Sequence, residues 1–332
     1  MSLSNTYDTT SPGSAASNRE DLSDVLTILA PEETPVLSSL SKTRASGTIH
    51  EWTVDSLDSP RTTGIAEGAD VTTFTDQFSG RARLANNTQK FRRDYMVSDL
   101  QEAVDSVGPA KIAQAEAKAV REIKRDIEAT LLSNNDLGTE NGAGSVYKLR
   151  GLGDWIDSSG PTEVPAAYRT PADSIHDTGA FTETAMNNII TSIYRVSGNT
   201  NSLTLIADTA LRRIISDFAR TGELGTAGNG NSSIRNVNYN GESAQIKLSV
   251  ELYQSDHGIV SVVNMNPDCA PDTVAKDTGY FVNPEFAGIA ELIPMGSSRL
   301  PNQGGGERGY VDCALTLAVY HPGAHGKITA IA

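Results

Sequence analysis

The residues with the clearest potential for chemistry are two histidines near the end of the chain, His321 and His325. Histidines four residues apart on one helix make a pair of metal ligands. However, Pro322 and Gly323 lie between these two, and both residue types oppose helix formation. Because no third ligand is evident in the surrounding sequence, we interpret the pair as part of a structural turn near the chain end.

The remaining candidate sites also favour structural roles. Glu67 and Asp70 form a possible carboxylate pair, but the glycine and threonine residues around them are typical of a solvated loop tip. The glycine-rich segments 225–230 and 304–306 lack the lysine and the serine or threonine of a phosphate-binding loop. The chain also contains no Gly-x-Ser-x-Gly sequence. We therefore predict no catalytic, cofactor-binding or metal-binding residue, no cofactor and no enzymatic activity.

The composition favours an extended, acidic protein. Hydrophobic residues make up 38% of the 332 residues and aromatic residues 6%, a lean core that suits packing against copies of the same chain. The net charge of −14 argues against a nucleic-acid-binding enzyme, but it permits a container for nucleic acid. No apolar run approaches the ~18 residues of a transmembrane helix, and segment 1–17 lacks the features of a secretory signal. We expect a soluble protein made in a cytoplasm, with Cys269 and Cys313 as ordinary semi-buried thiols.

A long amphipathic helix from Gly108 to Asn134 is the strongest structural prediction. Its apolar residues are spaced by three and four positions and share one narrow face: Ile112, Ala115, Ala119, Ile123, Ile127 and Leu131. Charged residues fill the remaining surface, where Glu128 has the spacing to pair with Lys124 or Arg125. Pairing of some of these charges with another chain is equally consistent with the sequence. We interpret the helix as a rod across which other elements lie.

The segments before this helix appear too short or too polar to form a core. Residues 1–17 have the composition of a flexible arm, followed by a short helix from Asn18 and an apolar hook at 34–40. Segments 48–57 and 83–97 read as strands on either side of a polar loop. We predict that they form one long two-stranded hairpin. Because no further strand is available in this region, something else must hold it.

The segments after the helix predict a second structural unit. Residues 135–178 read as an irregular loop pinned by Trp155. Residues 180–265 alternate helical and strand patterns and predict a compact α+β unit with its own core. Its first helix is expected at 181–196, with Thr182 as a favourable N-cap residue, and a buried strand follows at 203–207. Further strands are expected at 278–284, 290–294 and 311–319.

The order of these elements resembles the major capsid proteins of tailed bacteriophages, which have the Hong Kong 97-type fold. Short motifs carry a closer resemblance, to the SU-ten-like major head proteins. They are Asn18–Asp24 with Pro31-x-Glu33-Thr34-Pro35, Glu51-Trp52-x-x-Asp55-Ser56-Leu57, Glu67–Asp70, Lys124–Ser133, Asn283–Ala290 and Ala324–Gly326. The chain departs from the family's lysine-containing turn before the last long strand, where it has Gly304-Gly305-Gly306-Glu307-Arg308. The resemblance also implies a structural role for His325.

The resemblance implies an α+β fold with a defined division of the chain. The expected parts are an N-terminal arm, an extended β-hairpin called the E-loop, a long spine helix in a peripheral domain, and an α+β axial domain. The corresponding residues are 1–45 for the arm, 46–100 for the E-loop, 101–178 for the spine helix and peripheral loop, 179–275 for the axial domain, and 276–332 for the closing strands of the peripheral domain.

The resemblance also implies a function. A major capsid protein assembles with itself into hexamers and pentamers, which form an icosahedral head shell around double-stranded DNA without binding it specifically. The expected location is the virion, after assembly in the host cytoplasm and without a membrane. Other expected partners are a separate scaffolding protein, a portal, a maturation protease and a decoration protein. The alternatives are another virion structural protein, or a soluble hydrolase with its site on the α+β unit.

Overall fold

The computed structural model describes residues 33–104, 111–218, 237–239, 244–246, 251–272 and 274–331. Several expected features lie outside these residues. They are the N-terminal arm, the short helix from Asn18, the glycine-rich segment 225–230 and the start of the long helix at Gly108. Among the described residues, no helix is both long enough and apolar enough to cross a membrane.

The described chain forms helices and strands in the following order. The helices are α1 (Pro35–Ser39), α2 (Asp99–Ala103), α3 (Lys111–Leu132), α4 (Leu152–Trp155), α5 (Glu183–Ser197) and α6 (Thr209–Phe218). The strands are β1 (Ser41–Arg44), β2 (Ile49–Val54), β3 (Ala82–Asn87), β4 (Gln89–Val97), β5 (Ile175–His176), β6 (Thr204–Ala207), β7 (Val237–Tyr239), β8 (Ala244–Ile246), β9 (Leu252–Ser255), β10 (Gly258–Asn264), β11 (Gly279–Val282), β12 (Ala287–Leu300), β13 (Glu307–Val319) and β14 (Gly326–Ile328).

The long helix α3 packs across a four-stranded sheet with the order β1-β12-β13-β4. The predicted apolar face is confirmed at its centre, because Ile123, Ile127 and Leu131 are all fully buried. They share one core with apolar residues of β4, β12 and β13. The two longest strands, β12 and β13, form an antiparallel hairpin. The helix is therefore a rod laid on a sheet, as its narrow apolar stripe predicts.

The expected two-stranded hairpin is shorter than predicted. Strand β2 pairs with β3, as expected for its first part. At Thr88 the chain leaves this hairpin, and β4 pairs instead with β13 in the four-stranded sheet. The prediction of one strand over 83–97, with no other strand available to hold it, was therefore wrong. The partner of β4 lies more than 200 residues later in the chain. Local periodicity carries no information about so distant a partner.

A second sheet has six strands in the order β5-β14-β11-β6-β10-β9. Its core includes apolar residues of α5 and α6, such as Ile190 and Leu211, against Phe281 of the sheet. We expected all the strands after residue 276 to close the peripheral domain. Strands β12 and β13 do lie in the four-stranded sheet, but β11 and β14 lie in the six-stranded sheet. All four residues of β11 are buried, which is typical of a central strand rather than a closing one.

Two polar contacts join the six-stranded sheet to the end of the long helix and to α4, which follows it. The hydroxyl of Tyr280 in β11 donates to the carbonyl oxygen of Leu132 at 3.1 Å. Lys327 in β14 donates from Nζ to the carbonyl oxygen of Gly153 at 2.8 Å. Burial raises the pKa of Tyr280 and lowers the pKa of Lys327. Trp155, the predicted anchor of the loop after the helix, is fully buried at this joint, as expected.

Candidate assembly surface

The loop between β2 and β3, residues 55–81, exposes several large apolar side chains. Leu57 is 99% exposed, Ile65 is 87% exposed and Phe74 is 89% exposed. Val71 and Phe78 of the same loop are also exposed. A contiguous segment that places several large apolar side chains in water is typical of a surface that another protein covers. This loop is therefore the leading candidate for an intersubunit contact.

The tip of this loop is acidic, as the sequence predicts. Glu67 and Asp70 are both exposed; Glu67 lies within a tight turn, and Asp70 follows it directly. In that turn the amide of Ala69 donates to the carbonyl oxygen of Ala66 at 3.1 Å, and Gly68 has a φ angle of 79°. A positive φ favours glycine, which explains the residue at this position. In this arrangement both carboxylates are solvated at the tip of the loop.

The base of the loop is held by polar contacts. Arg81 donates from Nε to a carboxylate oxygen of Asp55 at 2.8 Å, and its guanidinium lies 4.0 Å from the centre of the Phe78 ring. The hydroxyl of Tyr168 donates to the carbonyl oxygen of Gly80. These contacts fix both ends of the loop, so the exposed apolar residues project from a defined root.

The root of the hairpin is fixed by a buried asparagine that sequence reasoning missed. The side-chain oxygen of Asn86 accepts the amides of Asn87 and Arg150 at 2.9 and 2.8 Å. Its nitrogen donates to the carbonyl oxygens of Arg150 and Leu317 at 3.2 and 2.7 Å. All four hydrogen bonds of the amide group are therefore made without water. In the sequence, Asn86 only matched a glycosylation pattern, so nothing local indicated its burial.

Arg150 extends this buried network beneath the hairpin. Its side chain is 2% exposed, and its guanidinium lies 5.2 Å from the centre of the Trp155 ring. It forms ion pairs with Asp136, Asp154 and Glu163 at 2.5, 2.8 and 3.1 Å. A buried cation with several carboxylate partners is stabilised by charge-assisted contacts. Together, Arg150 and Asn86 fix the loop after α3 against the start of the hairpin.

Glu128 of the long helix is buried, which corrects its predicted place on the charged surface. Its two carboxylate oxygens accept the backbone amides of Val36 and Leu37, both at 2.9 Å. These are the first free amides of α1, whose N-cap residue, Thr34, makes no side-chain cap. Burial raises the pKa of Glu128, and the two hydrogen bonds act in the opposite direction. Glu128 therefore serves as the cap that α1 lacks.

Other charges of the helix also find partners within the chain. Asp126 accepts two hydrogen bonds from Arg93 of β4, at 2.5 and 2.6 Å, and Arg125 forms an ion pair with Asp268. The hydrogen bond to Asp126 is the main cause that raises the pKa of Arg93. These contacts hold α3 against β4 of its own sheet and against the loop that follows β10.

The two histidines of the candidate metal pair are part of a 3₁₀ turn at Pro322–Ala324. Nδ1 of His321 accepts the amide of Gly323, and Nδ1 of the fully buried His325 accepts the amide of Asn283, both at 3.2 Å. Burial lowers the pKa of His325 to about 4, so this imidazole is neutral in the folded chain. Both rings use a nitrogen to hold backbone, which fits the structural turn that the sequence predicts.

The remaining candidate groups offer little chemistry. Among the described residues, no group of three histidine, cysteine or carboxylate side chains is arranged to hold a metal ion. Cys269 and Cys313 are buried free thiols, and burial raises the pKa of each to about 11. The expected glycine-rich turn before β13 is present, with positive φ angles at Gly304 and Gly306.

Solved structures similar to this chain include the capsids of a GTA particle and of a cyanophage. The capsid of a native GTA particle has a TM-score of 0.64 and 11% identity, and the match covers 98% of this chain and 99% of that chain. A chain from Mycobacterium phage Bobi has a TM-score of 0.61 and 12% identity, with 96% and 98% covered. The capsid of cyanophage P-SCSP1u has a TM-score of 0.59 and 12% identity, with 99% and 98% covered. At these identities the similarity establishes the fold, and the expected α+β Hong Kong 97-like architecture is confirmed.

The comparison with protein families is more specific than the fold. Curated protein sequences give no match to the chain. In contrast, the family model described as SU10 major capsid protein matches residues 4–332. Because this match covers nearly the whole chain and agrees with the capsid fold, the chain belongs to the SU10 major capsid protein family.

Proposed function

We propose that this major capsid protein builds its head shell from hexamers and pentamers, and that loop 55–81 is the clamp that each subunit places on its neighbour. The observation that carries the proposal is the exposure of Leu57, Ile65 and Phe74 on a loop whose root is fixed. Full burial of each such side chain contributes about 1.5–3 kcal/mol. Since this gain is available only on contact with another subunit, assembly itself stabilises the loop.

The two sheets support a division of each subunit into a peripheral and an axial part. The four-stranded sheet with α3 suits the peripheral part, and the six-stranded sheet with α5 and α6 suits the axial part. In this proposal β11 and β14 belong to the axial part, because their strand partners lie there. Residues 1–45 and 46–100 remain the proposed arm and E-loop.

The charge of the chain suits a container rather than a DNA-binding protein. A net charge of −14 repels phosphate backbones, so the shell encloses double-stranded DNA without specific contacts. The proposed site of assembly is the host cytoplasm. A separate scaffolding protein, a portal, a maturation protease and a decoration protein are proposed as further partners, from the family resemblance alone.

Deletion of residues 59–75 tests the clamp. The deletion removes Ile65, Val71 and Phe74 but leaves the contacts at the root of the loop intact. We expect the variant to fold, as measured by circular dichroism and thermal unfolding, but to form no closed shells in electron micrographs. Deletion of residues 140–145, another exposed loop, is the matched control and should leave shell formation intact.

A milder variant distinguishes loss of the clamp from a folding defect caused by the deletion. Substitution of Ile65 and Phe74 by serine keeps the length of the loop and removes two exposed apolar side chains. We expect fewer or no closed shells and an unchanged unfolding temperature of the free subunit. Normal shells from both the deletion and the double substitution would show that the loop is not the clamp.

A further inference from the structure

The solvent-facing side of the long helix is basic, although the protein as a whole is acidic. Of the residues of α3, the exposed ones are two alanines and three cations, with no carboxylate among them: Ala113, Ala117, Lys118, Arg121 and Lys124. The alanines leave room for another segment to approach the helix closely. We call these five residues the basic face of α3.

The side of the helix that carries the basic face also includes Glu128, which α1 of the same chain covers. Ala117, Arg121, Lys124 and Glu128 follow one another at spacings of four, three and four residues, so they share one side of the helix. Glu128 is nevertheless fully buried, because α1 lies over it and donates two amides to its carboxylate. The C-terminal part of this side is therefore occupied by the residues that follow position 34.

The chain enters α1 close to the basic face. The carbonyl oxygen of Glu33 accepts a hydrogen bond from Asn266 at 2.9 Å. Asp268, two residues further along that loop, pairs with Arg125, the neighbour of Lys124. Residue 33 is thus held beside the turn of α3 that precedes Glu128.

The chemistry of the preceding segment complements the basic face. Residues 20–32 contain four acidic residues and no basic residue: Glu20, Asp21, Asp24 and Glu32. They also contain Leu22, Val25, Leu26 and Leu29 at helical spacing. From Glu128 to Lys118 the helix spans roughly 15 Å, and thirteen residues cover about 20 Å even as a helix. The segment is therefore long enough to lie along the whole face.

We propose that residues 20–32 dock on the basic face of α3 of the same chain, through carboxylate contacts with Lys118 and Lys124. Lys118 also has a 3.7 Å contact with Glu122, and Lys124 forms no ion pair within the described part of the chain. DNA phosphate is the other partner that such a face suits. The tethered segment is favoured because its attachment beside Lys124 gives it a local concentration in the millimolar range or above.

Hydrogen exchange of the unassembled full-length subunit tests the proposal. The test variant carries both Lys118→Glu and Lys124→Glu, and the control carries Lys148→Glu, at an exposed lysine of another loop. In the test variant, amides of residues 20–32 should exchange about tenfold faster, because two attractive contacts become repulsive. The control should match the parent protein. Adding Glu20→Lys and Asp24→Lys to the test variant should restore slow exchange.

Three results would overturn the proposal. The first is equal exchange of residues 20–32 in the parent protein and the test variant. The second is slow exchange that appears only in assembled shells, which would assign the basic face to a segment of another subunit. The third is unchanged exchange together with weaker retention of DNA by shells of the test variant, which would assign the face to phosphate. A rise in exchange with added salt in the parent protein would support the ionic contact independently.

Discussion

The carboxylate of Glu128 accepts the backbone amide of Val36 at 2.9 Å, which joins the long helix to a segment 92 residues earlier in the chain. The second carboxylate oxygen accepts the next amide, of Leu37, at the same distance. One charged side chain therefore replaces a local helix cap with a long-range one. This group fixes the N-terminus of α1 on the long helix, beside the buried side chain of Val36.

The substitution Glu128→Gln tests this contact. Glutamine offers one acceptor oxygen, and its amino group would face a backbone donor. We expect a loss of about 1–3 kcal/mol in the free energy of unfolding, the cost of a buried donor without a partner. Urea unfolding of the free subunit measures it. Glu122→Gln, which changes a partly exposed surface ion pair, is the control and should cost less than about 1 kcal/mol. Equal losses in the two variants would contradict the capping role.

The substitution Asn86→Asp tests the root of the hairpin. The side-chain nitrogen of Asn86 donates to two carbonyl oxygens, and aspartate would place a second oxygen against them. We expect a loss of at least about 3 kcal/mol in the free energy of unfolding, because one oxygen of a buried carboxylate would then face two carbonyl acceptors without a donor. Thermal unfolding of the free subunit reports the change. Asn135→Asp, at an exposed position, should leave the unfolding temperature nearly unchanged.

The burial of His325 should make the stability of the free subunit depend on pH. Burial lowers its folded pKa to about 4, below the ordinary histidine value of 6.5. Between these values the unfolded chain takes up a proton that the folded chain excludes. The contribution of His325 is therefore complete above pH 6.5, and it is lost as the pH falls towards 4. From pH 7.5 to pH 5 this loss amounts to about 2 kcal/mol.

The substitution His325→Gln isolates this contribution. Glutamine retains an acceptor for the amide of Asn283 but does not titrate. Unfolding free energies at pH 7.5 and pH 5 should therefore differ less in the variant than in the parent protein. Because the comparison is made within each protein, a general loss of stability in the variant does not affect it. Identical pH dependence in the two proteins would contradict a buried, neutral His325.

The two cysteines should resist alkylation while the chain is folded. With each pKa raised to about 11, only about 0.1% of either thiol is ionised at pH 8, and both are also buried. Iodoacetamide should leave Cys269 and Cys313 unmodified in the native protein and modify both in urea. The variant Ser145→Cys adds an exposed thiol as an internal control, and mass spectrometry distinguishes the sites. Rapid modification of either natural cysteine in the folded protein would contradict its burial.

Local patterns predict the elements whose residues repeat with a clear period. Ile123, Ile127 and Leu131 follow helical spacing, and they are buried as that spacing requires. Thr182 is the expected N-cap of α5, and its side chain accepts the amide of Ala185 at 3.2 Å. The strand expected at 203–207 is present as β6, buried at the centre of its sheet. In each case, the information lies within one turn or one strand.

Local patterns do not predict contacts between segments that are distant in the sequence. Strand β4 alternates like the second half of a hairpin, but its partner is β13, which no local signal identifies. Glu128 and Asn86 look like surface residues in the sequence, because only their distant partners make burial favourable. The candidate assembly surface falls between these cases. Its acidic, glycine-containing tip is evident from the sequence, whereas the fixed root that presents the tip is not.

The pairing of β1 with β12 has a consequence for the synthesis of the chain. Ser41 lies opposite Gly288, so the first strand of the four-stranded sheet has no partner until almost the entire chain has left the ribosome. Strand β4 likewise waits for β13. Contacts this distant in sequence form slowly, and a prematurely terminated chain lacks them altogether. A fragment that ends before β12 cannot complete the four-stranded sheet beside the β2–β3 hairpin, so we expect such truncated products to be unable to enter a shell.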